Sequence, residues 1–112
     1  KVGIGTSTPV ATLQVNGSFG CKATTTTISV TLSASFCKYF VDATAGNITI
    51  TLPAATTTPY FDYWIKKVDS SSNTVTATTT APNRIDIEDS FVTDSMSTMH
   101  ISNDGGNNWY QL

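Results

Sequence analysis

The side chains that most often carry catalysis in proteins are scarce in this sequence. Its single histidine, His100, would have to serve any serine or cysteine nucleophile as the base. It stands between Met99 and Ile101 in an alternation typical of a strand, so we interpret it as an ordinary strand residue. Three copies of His100 in a trimer could meet around a metal, but one isolated residue has no ligand spacing. The sequence therefore predicts no catalytic group, no metal and no cofactor.

The cysteines and acids also lack a recognisable pattern. Cys21 and Cys37 do not have the close spacing of a zinc or redox motif. For a protein assembled in the cytosol we expect buried thiols, with an intrachain disulfide as the less favoured alternative. Asp86, Glu88 and Asp89 could form a calcium loop or an acid/base pair. Because Asp86 and Glu88 share one face of a short predicted strand, we favour a solvated sheet edge.

The aromatic cluster at 60–64 is the one group that could bind a partner. Alternation puts Tyr60, Asp62 and Trp64 on one face of a strand, and Phe61 and Tyr63 on the other. One face should meet the core, while the other could stack on sugar rings. We favour burial of both, one in the core and one in an oligomer interface, because aromatics dominate such surfaces. The candidate receptor contacts are Tyr60, Asp62, Tyr63 and Trp64.

Strands must position these side chains, and the clearest lie between residues 47 and 80. Period-two alternation predicts strands at 48–52, 60–68 and 74–80, which we expect to be antiparallel. Apolar residues that alternate with Thr and Ser predict the core. These are Ile48, Ile50, Leu52, Ile65, Val75 and Trp109.

Shorter strands are predicted on both sides of this region. They lie at 28–32, 85–87, 98–102 and 109–112, and residues 36–41 are apolar and aromatic. The threonine run at 23–27 is either an edge strand or a loop, 103–108 is a turn, and no helix exceeds one turn. About eight short strands, with turns roughly every ten residues, predict an all-β fold, with a β-sandwich or jelly-roll-like domain at 21–112.

Residues 1–20 have a different composition. Glycines and a proline break them into apolar pieces too short to bury themselves. We interpret the segment as an extended connector in which neighbouring chains wind around one axis and satisfy each other's backbone groups. This interpretation predicts a homotrimer.

Composition limits the classes of partner. The chain has 112 residues, of which 12% are charged, and a formal net charge of −2. Neither nucleic acid nor an anionic membrane is expected as a partner, because both are bound by basic surfaces. No apolar run approaches the roughly 20 residues of a membrane span. The start at Lys1, with no signal peptide visible, predicts a piece of a longer protein.

Residues 2–17 carry a resemblance to a known family. They resemble the VGIGTxxP…LxVxG segment that recurs in the shafts of bacteriophage tail fibres and related trimeric surface proteins. Several later motifs are similar to the small terminal β-domains of such fibres. These are VDAT at 41–44, ITITLP at 48–53, IKKVD at 65–69, NTVT at 73–76, Ile85-Asp86, and the closing Ser102…Asp104-Gly105…Asn108-Trp109. The chain departs from the pattern where the aromatic cluster replaces a glycine shortly before Ile65, and where Ile87 replaces a glycine.

The resemblance implies a homotrimeric tip or head domain on the virion surface. Such a domain would attach the virion to a receptor on the host cell, with a glycan as one candidate, and without catalysis. No binding residue transfers with the motifs. The alternative is a purely structural trimerisation or capsid-decorating module that binds no ligand. A glycan-degrading enzyme ranks third, because such enzymes need paired carboxylates in a groove.

Overall fold

The computed structural model describes residues 1–86, 90–93 and 98–112. Within these ranges the chain is all β, as predicted, and its one helical element is the 3₁₀ turn Ala55–Thr57. The predicted roles of Ile87, Glu88 and Asp89 fall outside the described residues.

The described strands form three sheets. A two-stranded sheet contains β1 (Val2–Ile4) and β2 (Leu13–Val15). The four-stranded sheet has the order β10 (Ser90–Thr93), β8 (Val75–Thr78), β6 (Ile48–Thr51), β4 (Val30–Thr31). The six-stranded sheet has the order β3 (Ala23–Thr26), β5 (Lys38–Val41), β7 (Asp62–Lys67), β11 (Thr98–Asn103), β12 (Asn108–Gln111), β9 (Arg84–Ile85).

The prediction that the three central strands are antiparallel is wrong. β6 pairs with β8 in parallel, with Ile48 opposite Val75. β7 lies in the other sheet, parallel to β5, with Lys38 opposite Trp64. The chain changes sheet after β5, after β6 and again after β7. Alternation reports which face a side chain occupies, and this is the same in parallel and antiparallel strands.

The flanking strands follow the prediction in part. The threonine run forms the edge strand β3, parallel to β5. The strand predicted at 28–32 shrinks to β4, and Ile28 is exposed. The turn predicted at 103–108 is present between β11 and β12, which pair as an antiparallel hairpin.

One apolar cluster unites the inner faces of the four- and six-stranded sheets. It includes every predicted core residue: Ile48, Ile50, Leu52, Ile65, Val75 and Trp109. The indole N–H of Trp109 donates to the carbonyl of Pro53 at 3.2 Å, so the largest core side chain leaves no buried donor unsatisfied. Removal of this apolar surface from water is the main stabilising contribution to the fold.

A polar corner closes one end of this core. β7 keeps its inward alternation through Lys67, which is 0% exposed. The ammonium of Lys67 donates to Asp69 Oδ1 at 2.8 Å and to the Ser71 carbonyl at 2.9 Å. The other Asp69 oxygen accepts from the N–H of Ala43 at 2.6 Å, and Asn73 Nδ2 donates to the Ala43 carbonyl at 2.7 Å. We call Ala43, Lys67, Asp69, Ser71 and Asn73 the crossover corner, because they join the connection that follows β5 to the one that follows β7.

Residues 1–20 fold back on themselves within the single chain. β1 and β2 pair in parallel, with Val2 opposite Leu13. Gly5 adopts φ +73°, and a Cβ there would lie 2.8 Å from the Asn16 carbonyl oxygen. Only glycine therefore fits at this position beside β2. The radius of gyration is 15.9 Å, against about 13 Å for a compact chain of this length.

The cysteines are also placed differently from the prediction of free thiols. Cys21 and Cys37 form a disulfide, with their Cα atoms 6.1 Å apart. They approach each other because β3 and β5, which begin shortly after them, are adjacent parallel strands. That adjacency is a property of the sheet order and has no sequence signal.

Acid should destabilise the protein through the crossover corner. The Lys67 ammonium, and then the Ser71 hydroxyl, hold the pKa of Asp69 well below its ordinary value of 3.8. The Asp69 carboxylate therefore binds a proton more readily in the unfolded chain than in the folded chain. The free energy of unfolding should fall as the pH drops below about 4. Urea unfolding across the acid range should show this fall, and it should be shallower in Asp69→Asn.

Some acid dependence should remain in that variant. The pKa of Asp42 is lowered as well, mainly by the Thr44 hydroxyl. An acid limb equally steep in Asp69→Asn and in the parent chain would contradict the assignment to Asp69.

Candidate functional site

The outer faces of the two larger sheets differ in chemistry. The four-stranded sheet carries threonines in register, with Thr49 opposite Thr76 and Thr51 opposite Thr78. The outer face of the six-stranded sheet, here called the aromatic face, carries rings and charges. Its side chains include Phe40, Asp62, Trp64, Lys66, His100 and Tyr110. Residues able to recognise a partner are therefore concentrated on the aromatic face.

Tyr63 does not belong to the candidate site, which corrects the prediction. It is 0% exposed, and its ring lies 5.6 Å from that of Trp109 and 6.2 Å from that of Tyr39. Burial, followed by the neighbouring Tyr39, raises the pKa of Tyr63 to about 12. Its hydroxyl has no hydrogen-bond partner in the described part of the chain. Tyr63 is a core residue because it follows the inward alternation of β7 with Ile65.

Asp62 and Trp64 lie on the aromatic face, half-buried. Trp64 stands opposite His100 of β11, and their rings stack with centroids 4.2 Å apart and an interplanar angle of 13°. His100 Nε2 is 3.9 Å from Asp62 Oδ2, beyond hydrogen-bond distance. The imidazole therefore occupies one face of the indole, and the pair forms a packed ridge on the sheet.

Tyr60 is presented differently, at the end of the same sheet. It is 77% exposed and has the left-handed φ of +60°, which is unusual for a bulky residue. Asn103 holds it there: its Oδ1 accepts from the N–H of Tyr60 at 2.8 Å and from the N–H of Gly105 at 2.9 Å. Asn103 Nδ2 donates to the Thr58 carbonyl at 2.7 Å. An amide that is only 5% exposed thus fixes the backbone of an exposed tyrosine.

Gly105 completes this arrangement. A Cβ at Gly105 would lie 2.8 Å from Cζ of Tyr60, so the phenol ring rests directly on the glycine backbone. Close by, the Tyr110 hydroxyl donates to Asp104 Oδ2 at 3.4 Å, and Asp104 Oδ1 accepts from Gly106 N at 2.9 Å. We call Tyr60, Asp104, Gly105 and Tyr110 the Tyr60 patch.

Sequence reasoning identified Tyr60, Asp62 and Trp64 but missed Asn103, His100 as the partner of Trp64, and Tyr110. Asn103 reads as a turn residue, because Asn-Asp-Gly-Gly is a common turn sequence. Asp62, Ser102 and Tyr110 lie in one row across the sheet, because β7, β11 and β12 are paired strands. No local pattern encodes that pairing.

Other kinds of site find little support in the described residues. They contain no group of three His, Cys, Asp or Glu side chains placed to hold a metal ion, and no enclosed pocket. Asp86 Oδ1 accepts from the N–H of Gln111 at 3.2 Å, at the edge of the six-stranded sheet. In the part of the chain that the structure describes, no helix is long and apolar enough to cross a bilayer.

No protein-family model, no curated protein and no solved structure matches this chain.

The two tyrosines in the core should respond differently to loss of the hydroxyl. Tyr63→Phe removes a buried hydroxyl without a partner, so it should be neutral or stabilise the fold by up to about 1 kcal/mol. Tyr39→Phe is the matched control, since the Tyr39 hydroxyl accepts from the N–H of Ser33 at 3.1 Å, and it should cost about 1 kcal/mol. Urea unfolding of both variants measures the difference. A Tyr63→Phe variant less stable than Tyr39→Phe would show that the Tyr63 hydroxyl is hydrogen-bonded.

Proposed function

We propose that this chain is the terminal domain of a homotrimeric bacteriophage fibre, exposed on the virion, which attaches to a receptor on the host surface without catalysis. In this proposal residues 1–20 belong to the shaft and residues 21–112 form a β-sandwich. The observation that carries the proposal is the exposed apolar surface of residues 1–20.

The first support concerns stability. Val2 and Leu13 are each 57% exposed, and Ile4 is exposed to a similar extent, on a sheet of only two strands. A two-stranded sheet is marginal in water unless another surface packs on it. Contiguous exposed apolar residues usually mark an interface. Copies of the same segment around a threefold axis would cover these side chains, in agreement with the resemblance to fibre shafts.

The second support concerns attachment. Tyr60 and Tyr110 of the Tyr60 patch are exposed, and the buried Asn103 amide holds the backbone of Tyr60, so the patch is open to a partner. A trimer presents three such patches on one tip. Multivalent contact raises the apparent affinity by about 10² to 10⁴ over a single site, so each patch needs only modest affinity.

The trimer predicts that thermal stability depends on concentration. Tm of the full chain should rise by several degrees over roughly a hundredfold range of protein concentration, because association stabilises the folded state. Leu13→Asp should abolish this dependence by placing a charge in the interface. Ile28→Asp is the control, since Ile28 is exposed but lies outside the β1–β2 sheet. A Tm independent of concentration in the full chain would contradict the trimer.

Attachment is tested with fluorescently labelled full chain on a panel of bacterial strains, read by flow cytometry. The chain should bind a subset of strains, and Leu13→Asp should bind those strains about a hundredfold more weakly. His100→Ala should bind like the parent chain. Equal binding by Leu13→Asp would contradict multivalent attachment. A trimer that binds no strain would favour the structural module instead.

A further inference from the structure

We propose that the Tyr60 patch is a binding site for an uncharged pyranose, with Asn103 and Gly105 as positioning residues that hold the Tyr60 ring ready to stack on the sugar. This inference rests on the proposed attachment function and assigns the site and the class of ligand.

The first argument is rigidity. Ring stacking is strongest when the aromatic side chain is ordered before the ligand arrives, since less rotamer freedom is then lost on binding. The Tyr60 ring lies against Gly105, and its backbone is fixed by the Asn103 amide. With 77% of the residue exposed, the remainder of the ring is open to a flat apolar partner. The CH face of a pyranose is such a partner.

The second argument is strain. A bulky residue at φ +60° is strained, and such residues concentrate at functional sites. The Asn103 side chain maintains this conformation with three hydrogen bonds to backbone groups, those of Tyr60, Gly105 and Thr58. A core-packing role does not account for this arrangement, because the side chain so positioned points away from the core.

The third argument is the set of polar groups beside the ring. The Asp104 carboxylate and the Tyr110 hydroxyl are exposed and adjacent to the Tyr60–Gly105 contact. Asp62 begins β7 two residues further along the chain. Carboxylates accept hydrogen bonds from sugar hydroxyls and repel anionic groups. The patch therefore favours neutral sugars over sialylated or phosphorylated ones.

Trp64 is the weaker platform, although it is the larger ring. One of its faces is stacked on His100, and Lys38 is its neighbour on the opposite strand. The indole face stacked on His100 is closed to a sugar, whereas the Tyr60 ring is exposed apart from its contact with Gly105. The stacking site is therefore Tyr60 and not the Trp64–His100 ridge.

The test is an NMR titration of the ¹⁵N-labelled full chain with methyl glucoside, methyl galactoside and methyl N-acetylglucosaminide, and with sialyllactose as the anionic comparison. At least one neutral glycoside should shift the amide signals of Gly105 and Gly106 at millimolar concentration, more than sialyllactose does. Shifts confined to other regions, no shift with any neutral glycoside, or a preference for sialyllactose would overturn the proposal.

Substitutions at Tyr60 measure the contribution of the ring to glycoside binding without disturbing the fold. Tyr60→Asn removes the ring but suits the left-handed backbone, so the fold should be kept while glycoside affinity falls about tenfold or more. Tyr60→Phe should bind within about twofold of the parent, since stacking remains. Thr49→Asn, on the threonine face, is the control and should leave binding unchanged. Unaltered affinity in Tyr60→Asn would overturn the site.

The two proposals fail in different ways. If Tyr60→Asn attaches to bacteria as well as the parent chain does, attachment stands and the Tyr60 site is wrong. If glycosides bind at Tyr60 but the parent chain attaches to no strain, the site stands and the attachment function is wrong.

Discussion

The buried ammonium of Lys67 is the interaction on which the arrangement of the two sheets depends. A charged group in the interior is tolerated only when its hydrogen bonds are satisfied, and Asp69 and Ser71 satisfy them. Those residues belong to the connection after β7, and Asp69 also binds the backbone of Ala43, in the connection after β5. The passages of the chain that follow β5 and β7 are thereby fixed at one point. The parallel pairing of β5 with β7, and of β6 with β8, follows from these crossovers.

The scaffold so formed carries two unlike surfaces. Threonine covers one sheet, where short hydroxyl side chains fit a pleated, solvated face. The opposite sheet carries rings and charges, and at its end a strained tyrosine is held over a glycine. Strain of this kind persists only where several contacts with the surrounding structure fix the conformation. The buried Asn103 and the β11–β12 hairpin provide those surroundings.

The sequence predicts the parts of this structure that depend on local alternation. Ile48, Ile50 and Val75 alternate with threonines along their strands, and this alternation predicts that they face the core, where the structure places them. Strand direction, the Cys21–Cys37 disulfide and the ladder across the aromatic face depend on which strands are adjacent, so local patterns do not contain them. Lys67 was missed because a lysine in the inward phase of a strand is normally solvated, and its partners lie beyond the strand end.

The assembly of three chains through residues 1–20 is the central claim, and the mass of the full chain in solution tests it most directly. Multi-angle light scattering at micromolar concentration should return three times the chain mass of 11.9 kDa. Removal of residues 1–17 should lower that mass to one chain while the circular dichroism of the β-sheets is retained. A full chain that elutes at 11.9 kDa under these conditions would contradict the account.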